Sequence, residues 1–147
     1  MKKLFAWLLS VICILQLCGC NGPYRRRMKE YYSNDAVFEN VSGIIREIER
    51  ENYDGEIFDM MVIYLTRASE AFTKQSHGDV FFRIWGMEEE DWGRAAFKVG
   101  DKIDFISAPE HFFDGHKWPI VAIVKDGVTY LEYEKGKAAL LDWVEHF

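Results

Sequence analysis

The chain has 147 residues, with 18 basic and 24 acidic side chains for a net charge of −6, 49% hydrophobic and 16% aromatic. That length suits one mid-sized domain with a core of its own. From Glu30 onward 12 basic residues stand against 24 acidic ones, a net of −12, which argues against a nucleic-acid partner, because phosphate binding rests on clustered positive charge. All three cysteines (Cys13, Cys18 and Cys20) fall at or before position 20, so the body beyond has no disulfide, thiolate metal site or cysteine nucleophile.

Lys2 and Lys3 precede a nearly unbroken apolar run over 4–17, broken mildly by Ser10 and Gln16. This is shorter than the roughly 20 residues that span a bilayer core, and it suits the apolar region of a signal peptide. Leu17-Cys18-Gly19-Cys20 follows. This tetrapeptide resembles the bacterial lipobox, with cysteine replacing the commoner residues at its second position. The resemblance implies diacylglyceryl transfer to the Cys20 sulfur, cleavage after Gly19, and a lipoprotein held by lipid on the outer face of a membrane. Two or three acyl chains anchor stably where one is marginal. The expected division is a signal peptide over 1–19, a lipidated basic tether over 20–34 carrying Arg25, Arg26, Arg27 and Lys29, and a folded domain over 35–147. The basic cluster either is attracted to anionic lipid headgroups or cell-wall polymers, by about 1 kcal/mol per charge near the surface, or is a plain export and spacing feature.

Within the domain, 37–48 is expected as a strand, with Gly43 marking a bulge or bend. A turn at 52–55 leads to a strand over 58–66, then a loop or short helix over 68–78 and a strand over 80–85. Glu88, Glu89, Glu90 and Asp91 suit the first turn of a short helix, where they meet its positive dipole end. Val99-Gly100-Asp101 turns into a strand over 102–107, and 109–117 reads as a loop. Asp126-Gly127 between the runs 118–125 and 128–133 is a two-residue hairpin signal. Leu140, Leu141, Val144 and Phe147 share one face of an amphipathic helix over 137–147.

This order resembles the OB fold, a five-stranded Greek-key barrel with a helix between its third and fourth strands. Gly43 in a long first strand and the turn Phe97-Lys98-Val99-Gly100-Asp101-Lys102-Ile103 carry the resemblance, which covers 37–125. It implies a mainly β (α+β) domain: a small OB-like β-barrel with a short helix before the fourth strand and a C-terminal amphipathic helix.

Chemistry-bearing patterns are few. Glu110, His111, Asp114 and His116 fall together beside Trp118, and such donors suit a divalent ion. Their spacing matches no established zinc pattern. The alternative to a metal loop at His111, Asp114 and His116 is a polar surface loop with aromatic residues tucked inward. A contiguous acidic run at 88–91 splays its carboxylates, unlike a calcium loop. No serine sits in a nucleophile elbow. Trp85 and Trp143 are expected to fill the core, whereas Trp118 and Phe112, beside a loop, are candidate ligand contacts, since tryptophan favours binding hot spots. The composite expectation is a non-catalytic, membrane-anchored binding lipoprotein with no cofactor, whose partner is an envelope protein, peptide or polymer. The rival is a metal-binding or hydrolytic envelope protein using the histidine loop. Metal analysis of untagged protein separates the two: a stoichiometric divalent ion would support the rival.

Overall fold

A computed structural model describes residues 22–53, 56–75, 79–110, 112 and 117–146. Six strands form one sheet: β1 (Glu39–Tyr53), β2 (Glu56–Arg67), β3 (Asp79–Ile84), β4 (Lys102–Ser107), β5 (Trp118–Lys125) and β6 (Val128–Leu131). Its order is β3-β2-β1-β4-β5-β6, and a parallel pairing of β3 with β5, from Phe82 opposite Trp118 to Ile84 opposite Ile120, closes the first five strands into a mixed barrel. The other pairings are antiparallel. This is the OB-like, mainly β architecture expected from the sequence, with β6 as an extension.

Alternation builds the barrel. β3 and β4 each bury every second residue, so Val80, Phe82, Ile84, Ile103 and Phe105 point inward with Val41, Ile45, Met61 and Ile63. β1 is long because both halves of the barrel share it, pairing with β4 over Glu39–Ile44 and with β2 over Ser42–Tyr53. Its register slips between Ser42 and Gly43 and again between Ile45 and Glu47. The expected bend at Gly43 is therefore present. A Cβ there would lie 2.3 Å from Ile63 Cγ2 and 2.8 Å from the Tyr64 carbonyl oxygen, so only glycine lets β2 cross so close. The β5–β6 hairpin turns on Asp126 and Gly127, both with positive φ (53° and 75°), as a type I′ turn requires.

Among the described residues, helices α1 (Gly22–Ser33), α2 (Glu70–Gln75), α3 (Glu89–Ala95) and α4 (Tyr133–His146) accompany the barrel. α3 sits between β3 and β4 with Glu89, Glu90 and Asp91 in its first turn. These acids are tied to cations: Glu89 to Arg50 at 2.7 Å, Asp91 to Arg94 at 3.0 Å, and neighbouring Glu88 to Lys135 at 2.8 Å. β5 is buried on both faces, because α4 lies over its outer side. There Val121, Leu140, Val144, Trp85 and Ala108 form a second apolar cluster.

The segment 20–34 was expected as a polar tether, but from Gly22 it is a helix, and α1 docks on that second cluster through Met28 and Tyr32, both fully buried. The spacing 28, 32 places both on one face. Its low apolar content hid this, since two large side chains and polar anchors do the packing. Tyr32 donates its hydroxyl to the Glu110 carbonyl at 3.1 Å, and Lys137 reaches the Ser33 carbonyl at 3.3 Å. Among the described residues, both cores are built from side chains between Met28 and Val144, so α1 contributes to the second core as the barrel does.

Lys125 ties the α3–β4 connection to β5. Its ammonium donates to the Ala95 carbonyl at 3.0 Å and pairs with Asp101 at 2.7 Å. The hydrogen bond from Lys125 holds the Asp101 carboxyl below its ordinary value. A depressed folded-state pKa contributes stability that is present above the unfolded value of about 3.9 and lost as pH falls through the folded one. The melting-temperature gap between wild type and Lys125→Met should therefore narrow as pH drops below about 4. A gap unchanged down to pH ~2 would rule the pair out as its source.

Candidate binding face

An ordinary barrel strand is polar on its outer side. β2 is not: Met61, Ile63 and Leu65 pack in or against the barrel core, while Met60, Val62 and Tyr64 make the alternate set, also apolar. β3 adds Phe81 between the inward Val80 and Phe82. The register sets Val62 opposite Phe81 and Tyr64 opposite Asp79, so Tyr64 and Phe81 are diagonal neighbours on the outer surface, within reach of one ligand. They are 44% and 41% exposed, high for rings on adjacent central strands.

Charged groups frame the rings. The β1 bulge after Ile45 delivers Arg46 to this face, with its guanidinium 5.2 Å from the Tyr64 ring centroid and its Nε 3.8 Å from Asp79. Further along, Arg83 lies between two rings, 3.9 Å from the Phe58 centroid and 3.8 Å from that of Trp85, with Trp143 of α4 at 5.3 Å. Of the side chains on this side, Tyr64 and Phe81 are the open rings, while Met60, Val62 and Trp85 are buried. Such a surface can stack the apolar face of a sugar or an aromatic side chain while its charges bond to flanking polar groups.

The residues singled out from sequence fall elsewhere. Trp118 is 3% exposed and packs edge-on against Phe72 and Phe82, with centroids 5.0 and 5.8 Å away. It belongs to the barrel core, because the strand it opens pairs with β3. Trp85 is buried as expected, and Trp143 is half-buried against it at 5.1 Å. Phe112 is half-buried among Tyr24, Tyr31 and Tyr32 at 5.9, 5.5 and 5.6 Å. It borders a surface cleft of about 310 Å³ shared with Arg27, Glu30, Tyr31 and Glu110. Burial raises the pKa values of Tyr31 and Tyr32, keeping both phenols neutral. His111, Asp114 and His116 lie outside the described residues, as does Cys20. Among the described residues there is no group of three or more His, Cys, Asp or Glu that would hold a metal ion, and no helix long and apolar enough to cross a membrane.

A second cleft, of about 460 Å³, lies beside the β5–β6 turn. Its Asp104 is engaged by Ser42 and, at 3.5 Å, by Arg67. It mixes polar and apolar side chains and has no aromatic ring in its lining, unlike the β2–β3 face. Sequence reasoning passed over Tyr64 and Phe81 because 58–66 reads as one apolar run. The available signal was that both alternating sets, 60, 62, 64 and 61, 63, 65, are apolar, one more than a half-buried strand needs. No protein-family model and no curated protein matches the chain; the geometry and chemistry of its surfaces are what single out this face.

Proposed function

We propose that the protein is a non-catalytic binding module, anchored through lipid on Cys20 at the extracytoplasmic face of a bacterial membrane, that takes an envelope protein, peptide or polymer on the outer surface of β2 and β3. The observation that carries the binding reading is the exposed pair Tyr64 and Phe81, framed by Arg46 and Asp79. In OB-like barrels the face of the second and third strands is where ligands commonly sit. The acidic body, at −12 from Glu30 onward, directs the reading away from nucleic acid.

The anchor is tested by substitution. Cys20→Ser removes the one candidate acceptor of lipid, so incorporation of labelled palmitate should fall to background; label retained in the variant would remove the anchoring reading. The binding face is tested in cells with a photo-crosslinking residue placed in turn at Tyr64, Phe81 and Val128, which is exposed on β6. Discrete adducts are expected from the first two positions and not from the third. Adducts from Val128 alone would move the site to the other end of the sheet.

A further inference from the structure

α1 begins two residues after Cys20, and it is not a leash. It runs antiparallel to α4: Arg25 donates to the Glu145 carbonyl at 3.3 Å and Lys29 pairs with the Glu145 carboxylate at the start of α1, while Lys137 meets Ser33 at its end. With Met28 and Tyr32 buried beneath it, the helix is part of the domain. Arg26 and Arg27 are exposed on the side away from that contact, and neither has an ion pair among the described residues. Tyr24, 39% exposed, sits one turn before Met28 and packs edge-on against Phe112. This end of the molecule therefore combines free guanidinium groups with a half-exposed tyrosine, the side chains that suit a lipid headgroup layer. Of the acids nearby, Glu145 is engaged by Lys29 and Asp142 by His146 at 3.5 Å, while Glu30 and Glu110 border the cleft that Arg27 lines. Arg25, Arg26, Arg27 and Lys29 cluster at this end, whereas the chain from Glu30 onward carries a net −12, so an anionic surface favours this end over the body.

We propose that the amino-terminal end of α1 is a docking surface for an anionic phospholipid bilayer, with Arg26 and Arg27 on lipid phosphates and Tyr24 at headgroup level. This rests on the membrane-proximal reading of Cys20 and adds to it a fixed orientation. Because α1 is packed against α4, seating α1 seats the barrel, and the domain stands on the membrane in one pose instead of swinging on its lipid.

The test removes the anchor. Residues 20–147 carrying Cys20→Ser contain the core side chains of the described residues, and a cooperative melt verifies their folding. Sedimentation with vesicles of phosphatidylglycerol and phosphatidylcholine at low salt should show binding, absent with phosphatidylcholine alone and lost at high salt. Arg26→Gln with Arg27→Gln should lower the partition coefficient about 30-fold, from roughly fivefold per charge. Lys98→Gln with Lys102→Gln, exposed cations elsewhere, should leave it unchanged. The body beyond Cys20 has no cysteine, so one environment-sensitive fluorophore can be placed by Tyr24→Cys or by Val128→Cys; its emission should shift on vesicle addition at the first position alone. Binding that survives loss of both arginines, equal shifts at both positions, or no binding to anionic vesicles would overturn the proposal. Palmitate label retained by the Cys20→Ser variant, with vesicle docking intact, would remove the lipid-anchor reading and leave the docking surface standing.

Discussion

Gly136→Val is expected to destabilise the domain by more than about 3 kcal/mol, enough to unfold much of it at physiological temperature. Gly136 lies in the first turn of α4, and a Cβ placed on it would fall 2.1 Å from the Val121 carbonyl oxygen and 2.7 Å from the Val121 carbonyl carbon. The obstacle is strand backbone and not a side chain that can turn aside. A larger residue must lift α4 from β5, and with it Leu140 and Val144 from the cluster that also holds Met28 and Tyr32. The alanine variant is the sharper test. Were Gly136 a mere interruption, alanine would stabilise the helix by up to about 1 kcal/mol; with Val121 this close, it should destabilise. Gly93 in α3 supplies the contrast, having no atom within 4 Å of its notional Cβ, so Gly93→Ala should be neutral or raise the melting temperature. Denaturant titration of the three variants decides it, and a stabilised Gly136→Ala would refute the close approach.

The same glycine shows what the sequence can and cannot convey. The pattern Leu140, Leu141, Val144 announced α4, but placed its start at 137, just after Gly136. It is inside the helix, which begins at Tyr133, and its role is set by a strand distant in sequence. Local signals were sufficient where the constraint is local: Asp126-Gly127 for the hairpin, the acidic first turn for α3, and alternation for β3 and β4. They failed for α1, whose helicity follows from burying Met28 and Tyr32 against α4 and β5, partners more than 80 residues away in the chain. The binding face failed for a related reason. An exposed ring and a buried one look alike in an apolar run, and only the register of β2 with β3 separates Tyr64 and Phe81 from Ile63 and Phe82.

Trp118→Ala should lower stability by about 3–5 kcal/mol, a fall in melting temperature of roughly 10–20 °C for a domain of this size. The indole lies where β5 joins β3 and the barrel closes. Trp118 pairs with Phe82 across the parallel ladder, and its ring meets Phe72 and Phe82 edge-on. Removing it leaves a void bounded by these two large rings at the closing seam, which relaxes poorly because strand positions fix both sides. Phe112→Ala should cost less, about 1–2 kcal/mol, since its ring is only half-buried and what it loses is mainly edge contacts with three tyrosines. The two substitutions thus separate support of the core from contact with a partner. Thermal melts should rank Trp118→Ala well below Phe112→Ala, and in the Phe112 variant the crosslinks from positions 64 and 81 should persist. If Trp118→Ala melted like wild type yet abolished those crosslinks, Trp118 would be a ligand contact and the binding face would have to be moved from β2 and β3 to the mouth of the barrel where β5 begins.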